Sequence, residues 1–118
     1  MKLVRYSADG KTAIGAIEGD QVVEIPGVQT AQEFILGGAA ALEAARKAIA
    51  SGTGRCALSS VKLLAPVVPA TMLCSGSNYT DHNKEKANTP ISGKEPEFFV
   101  KTADCIIGPG DAIVLDTS

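Results

Sequence analysis

Residues 71–85, Thr-Met-Leu-Cys-Ser-Gly-Ser-Asn-Tyr-Thr-Asp-His-Asn-Lys-Glu, constrain this chain more than any other stretch. An apolar run, Met72-Leu73-Cys74, reads as the end of a buried strand and passes through Ser75-Gly76-Ser77 into a polar helical start. Asn78 is placed to cap that helix, with Asp81 at its third position, where a carboxylate complements exposed amides and the helix dipole. The chain has a single histidine, His82. Glu85 follows it at a spacing that puts both side chains on one helix face. A carboxylate can orient an imidazole and stabilise its charged form, as a general base working near neutral pH requires.

The remaining composition narrows the class. With 118 residues there is room for one modest domain, or for a small one and the start of another. A 45% hydrophobic, 20% charged chain of formal net charge −2 offers no basic field for nucleic acid or an acidic membrane. Its apolar runs are too short to span a bilayer, and Met1-Lys2 leads straight into a strand-like segment rather than a signal-peptide core. A cytoplasmic location is therefore the expectation. Cys56, Cys74 and Cys105 are odd in number and far apart, which favours reduced core residues over disulfides or zinc ligands.

Taken in order, the chain opens with three strands. Lys2–Tyr6, Ala13–Glu18 and Gln21–Ile25 are separated by turn signals at Ala8-Asp9-Gly10-Lys11 and Gly19-Asp20, which predicts an antiparallel meander ended by Pro26-Gly27. Thr30 and Glu33 form a capping-box pair for a short helix whose buried side would be Phe34, Ile35 and Leu36, before Gly37-Gly38. A second helix is predicted from about Ala39 to Ala50, with Leu42, Ala45 and Ile49 on one stripe. Arg55–Ala65 reads as an extended segment, and the prolines at 66 and 69 mark a boundary. The expected domains are thus 1–65, an α+β unit, and 66–118. In the second, Ala87–Glu95 reads as a loop, either a lid or an inert connector. Glu97–Lys101 reads as a strand with Phe98 or Phe99 buried, and Gly108-Pro109-Gly110-Asp111 turns the chain into Ala112–Leu115. Strands without elements to cover them leave an apolar sheet open, so the 118 residues are expected to be the N-terminal portion of a longer protein.

Several stretches, taken together and in this order, resemble the fumarylacetoacetate hydrolase family: Met-Lys-Leu-Val-Arg-Tyr at the start, Leu-Leu-Ala-Pro-Val-Val-Pro-Ala, Gly-Ser-Asn-Tyr-Thr-Asp-His-Asn-Lys-Glu, Glu-Pro-Glu-Phe-Phe-Val-Lys and Ile-Ile-Gly-Pro-Gly-Asp-Ala-Ile-Val-Leu. The resemblance implies a small N-terminal α+β domain followed by the first strands of a β-rich catalytic domain, a partly open barrel. It implies action on small 2-oxo or 1,3-dioxo acids through a metal-bound enolate, by C–C bond hydrolysis, with hydration, decarboxylation or isomerisation as the alternatives. A non-catalytic binding or assembly module is the contrasting possibility if the chain ends at 118.

By the same resemblance His82 matches the family's catalytic histidine and Glu85 the glutamate paired with it in one branch, while Lys101 stands where the family has a strand lysine, either facing an anionic substrate or solvated at the strand end. Tyr79 is placed to donate a hydrogen bond in the pocket or to pack beside the turn. Ser77 and Thr102 depart from the family pattern, which leaves the substrate's side chain open. The resemblance implies Mg2+ or Mn2+ in the full-length protein, with ligands beyond Ser118. Glu95 and Glu97 flank a proline next to a polar loop and read as a solvated edge, so no metal site is expected in this chain alone. The expected partners are a small dioxo-acid substrate, the rest of the catalytic domain and a second subunit of a homodimer.

Overall fold

The computed structural model of the chain describes residues 1–76, 78–85 and 97–116, without the side chain of Asn83. The expected loop at Ala87–Glu95, together with Ser77 and Glu95, lies outside those residues. The described chain is α+β, as the sequence predicts. It divides into two compact units, Met1–Val68 with Ile106–Ser118, and Pro69–Cys105. The division expected from sequence placed all of 66–118 together.

In the first unit, β1 (Lys2–Ala8), β2 (Lys11–Glu18) and β3 (Gln21–Glu24) form the predicted meander. The Asp9-Gly10 turn has φ of 49° and 74°, a left-handed pair that matches the right-handed twist of the strands it joins. Two helices follow, α1 (Ala31–Leu36) and α2 (Gly38–Ser51). The Thr30 hydroxyl accepts from the Glu33 amide at 3.1 Å, and the Glu33 carboxylate accepts from the Gln29 and Thr30 amides, so the capping box forms as expected. Gly52, at φ 70°, closes α2 by donating to the Ala48 carbonyl at 3.2 Å.

The segment from Arg55 is not one extended run. It splits into β4 (Arg55–Ala57), a 3-10 turn at Leu58–Ser60 and β5 (Lys62–Leu64). These two strands occupy opposite edges of a five-stranded sheet of order β4-β3-β2-β1-β5. Flat, the edges of such a sheet would stand about 19 Å apart. The chain from Ala57 to Lys62 reaches at most about 18 Å and spends part of its length on the turn. The sheet must therefore curl toward closure.

The curled sheet has a core on each face. On one side Ile14, Ala16, Ile25, Ala31 and Ala45 are buried, with Leu3, Val28, Phe34 and Ile49 packed against them, so the helices lie on this face. On the other side Tyr6 and Val22 converge over Gly15, where an added Cβ would sit 2.7 Å from Val22 Cγ1 and 3.0 Å from Tyr6 Cε1. Glycine is required there because two larger side chains fill its space. Burial, with Glu24 and Cys56 nearby, pushes the Tyr6 phenol above its usual range.

Several sequence expectations give way. Ile35 and Leu36 are 63% and 87% exposed, because α1 is too short to turn more than Ala31 and Phe34 inward. The turn Gly108-Pro109-Gly110-Asp111 folds back onto β5: Asp111 pairs with Lys62 at 2.8 Å and also accepts from the Gly108 amide at 2.9 Å. That contact is why 106–116 groups with the first unit. Beyond it Ala112–Leu115 joins no ladder among the described residues, and Ile113, Val114 and Leu115 are exposed. All three cysteines are free; Cys56 and Cys74 are half-buried, and Cys105 is exposed instead of sitting in a core.

The second unit is built on β6 (Met72–Gly76) and β7 (Glu97–Lys101), an antiparallel pair, with α3 (Thr80–Glu85) after β6 and a 3-10 turn at Ala103–Cys105. Leu73, expected in a buried strand, is exposed, and so are both Phe98 and Phe99, of which the sequence predicts one to be buried; Val100 is exposed as well. No residue of this unit is fully buried among those described.

Candidate functional site

Strand β6 delivers the chain through the turn to α3, which starts at Thr80, one residue later than a cap at Asn78 would set it. Helix ends commonly shift by that much. On α3, His82 and Glu85 are separated by about 60° around the axis and about 4.5 Å along it, as three residues of helix dictate. They share a face, and both are exposed. Among the described residues no hydrogen bond joins them; the bond on this helix runs from Lys84 Nζ to Asp81 Oδ1 at 3.0 Å. Lys84 thereby occupies the neighbouring carboxylate and leaves Glu85 as the acidic group on the histidine's face.

The register of the hairpin places the other candidates. Cys74 faces Phe99 across the ladder, Gly76 faces Glu97 and Met72 faces Lys101. Glu97 thus stands at the end of β7 from which the chain on β6 leaves toward α3. Lys101 stands at the other end, about 13 Å along the ladder at ordinary strand rise. Glu97 is the charged strand residue that sequence reasoning set aside. Its Oε2 would lie 3.3 Å from a Cβ at Gly76, so the bare glycine leaves room for the carboxylate. That glycine within a strand was the one signal available. Tyr79 precedes α3 and is 77% exposed, free of a packing role among the described residues.

Among the described residues no three His, Cys, Asp or Glu side chains converge to hold a metal ion. The side chains placed here can transfer a proton at His82 and offer charge from Glu85, Glu97 and Lys101.

A curled five-stranded sheet carrying two helices, followed in the chain by a hairpin with a histidine-bearing helix, is the arrangement whose relatives can be named. The model described as Rv2993c-like, N-terminal, matches residues 1–66. The chain belongs to this family, within the fumarylacetoacetate hydrolase family. It is 43% identical over 88 residues to the protein named oxaloacetate tautomerase FAHD2B, mitochondrial, of Homo sapiens, a match covering 74% of this chain and 27% of that protein. An uncharacterized protein of Archaeoglobus fulgidus is 43% identical over 58 residues, covering 49% of this chain and 22% of its own. A solved structure of an uncharacterized protein from Mycobacterium abscessus superposes with a TM-score of 0.62 at 30% identity, covering all of this chain and 40% of the other. The match spans about a quarter of the length of these curated relatives, 27% for the human protein.

Proposed function

We propose that this chain serves an enzyme that interconverts the keto and enol forms of a small 2-oxo acid of the oxaloacetate type. The observation that carries this reading is the 43% identity over 88 residues to a protein named oxaloacetate tautomerase. The geometry agrees with it, because tautomerisation needs a group that takes a proton and gives one back. Neutral His82 removes a proton from the carbon next to the carbonyl, that electron pair forms the C–C double bond, and the carbonyl oxygen is protonated to the enol; the reverse sequence regenerates the ketone. Glu85 stabilises the imidazolium formed in between, and a side-chain rotation brings the two into contact, as bonds of this kind often tighten only with substrate bound. Lys101 offers charge to a carboxylate of the substrate. A Mg2+ or Mn2+ ion in the whole enzyme would take its donors from outside the described residues.

Carbon–carbon hydrolysis, as in other members of the family, shares the enolate and additionally requires an activated water. The two are separated by assaying the protein encoded by the complete reading frame, supplied with Mg2+, on oxaloacetate enol and on an acylpyruvate. Enol absorbance should decay faster than the spontaneous rate, with His82→Ala slowing the catalysed part by about 100-fold or more and Glu85→Gln by less. Unchanged decay in His82→Ala would remove the histidine from the mechanism. Faster cleavage of the acylpyruvate would make hydrolysis the activity.

A further inference from the structure

A cavity of about 220 Å³ opens within the first unit, lined by Arg5, Thr30, Ala31, Gln32, Pro66 and Val68. Arg5 sits on β1 opposite Ile14 and Leu64, and its side chain reaches this cavity half-buried. Among the described residues it has no ion pair and no hydrogen bond. A half-buried guanidinium with no protein anion beside it can take one from outside, and this chain carries 13 acidic residues that could have supplied it. Among the described residues, none of them lines the cavity. Glu33 is committed to the Gln29 and Thr30 amides, so the first turn of α1 is already supplied with its carboxylate and is not the attraction.

The remaining groups set the shape of an occupant. The Thr30 oxygen accepts from the Glu33 amide, which leaves its hydroxyl proton to donate. Gln32 Nε2 donates to the Val68 carbonyl at 3.1 Å, which fixes one wall and leaves the amide oxygen available. Ala31, Pro66 and Val68 make the rest apolar. One planar fork, one hydroxyl donor and a short apolar wall match a carboxylate on a small hydrocarbon body. A dianionic phosphate would call for more than one positive charge.

We propose that this cavity binds a small carboxylic acid, with the carboxylate held by both arms of the Arg5 guanidinium. The site lies wholly in the first unit and does not depend on the proposed chemistry of His82. Titration of the full-length protein with pyruvate, succinate or inorganic phosphate, followed by amide chemical shifts, tests it. Saturable shifts at Thr30, Ala31 and Gln32 are expected with one of the two carboxylates, at concentrations where phosphate gives none. Arg5→Gln should raise the dissociation constant about 10-fold or more, and Arg5→Lys, which keeps the charge and loses the fork, should fall between. An unchanged spectrum elsewhere in Arg5→Lys verifies that the fold survives. Absent or non-saturable shifts with both carboxylates would overturn the proposal, as would tighter binding of phosphate or equal affinity in Arg5→Lys.

Discussion

The two units of this chain differ in where their apolar side chains go. The first buries Ile14, Val22, Val23 and Ile25 almost completely, on both faces of a curled sheet. The second exposes Leu73, Phe98 and Val100 by 61–68%, yet carries every candidate catalytic and substrate-contacting residue. Cohesion and chemistry are thus assigned to different stretches. Substitutions should consequently sort into those that unfold the first unit and those that change reactivity without changing stability.

The largest contrast comes from truncating one apolar residue in each unit. On these 118 residues, Ile14→Ala should lower the unfolding free energy by about 2–5 kcal/mol, whereas Phe98→Ala should stay within about 0.5 kcal/mol because its ring is already wet. Urea denaturation measures both, and similar losses would erase the distinction. A second test works by addition. Gly15→Ala places a methyl 2.8 Å from the Val23 carbonyl as well as against Val22 and Tyr6, so about 1–3 kcal/mol should be lost and the Tyr6 environment disturbed. Wild-type stability in that variant would mean that the strands can part without cost.

The smallest effect is expected in acid. Lys62, with help from the Gly108 amide, holds the Asp111 carboxyl below its usual range. A carboxylate depressed in the folded state adds stability that is present above its unfolded value near 3.8 and is lost as pH falls through the lower folded value. The acid limb of the stability profile should therefore be slightly shallower in Asp111→Asn. Identical limbs would show that the turn at 108–111 is held by something else.

Much of this architecture is legible in local sequence signals. Asp9-Gly10 and Gly19-Asp20 fix the meander, Thr30 and Glu33 fix the start of α1, and the i, i+3 spacing fixes the shared face of His82 and Glu85. What escapes is set by partners distant in sequence. Nothing in Arg55–Ala65 tells that its halves pair with β3 and β1 on opposite edges, since an extended run carries no record of its neighbours. The same limit hides the hairpin register that sets Glu97 against Gly76 and sends Lys101 to the far end. Ile35 and Leu36 mislead for another reason: apolar residues ending a six-residue helix have too little surface to pack on.

The contrast between Tyr6 and Tyr79 also has an optical consequence. The chain has two tyrosines and no tryptophan, and one tyrosine is 4% exposed while the other is 77% exposed. Its intrinsic fluorescence is therefore two separable lamps. A soluble quencher should extinguish Tyr79, beside His82, and spare Tyr6, whose emission then reports on the curled sheet alone.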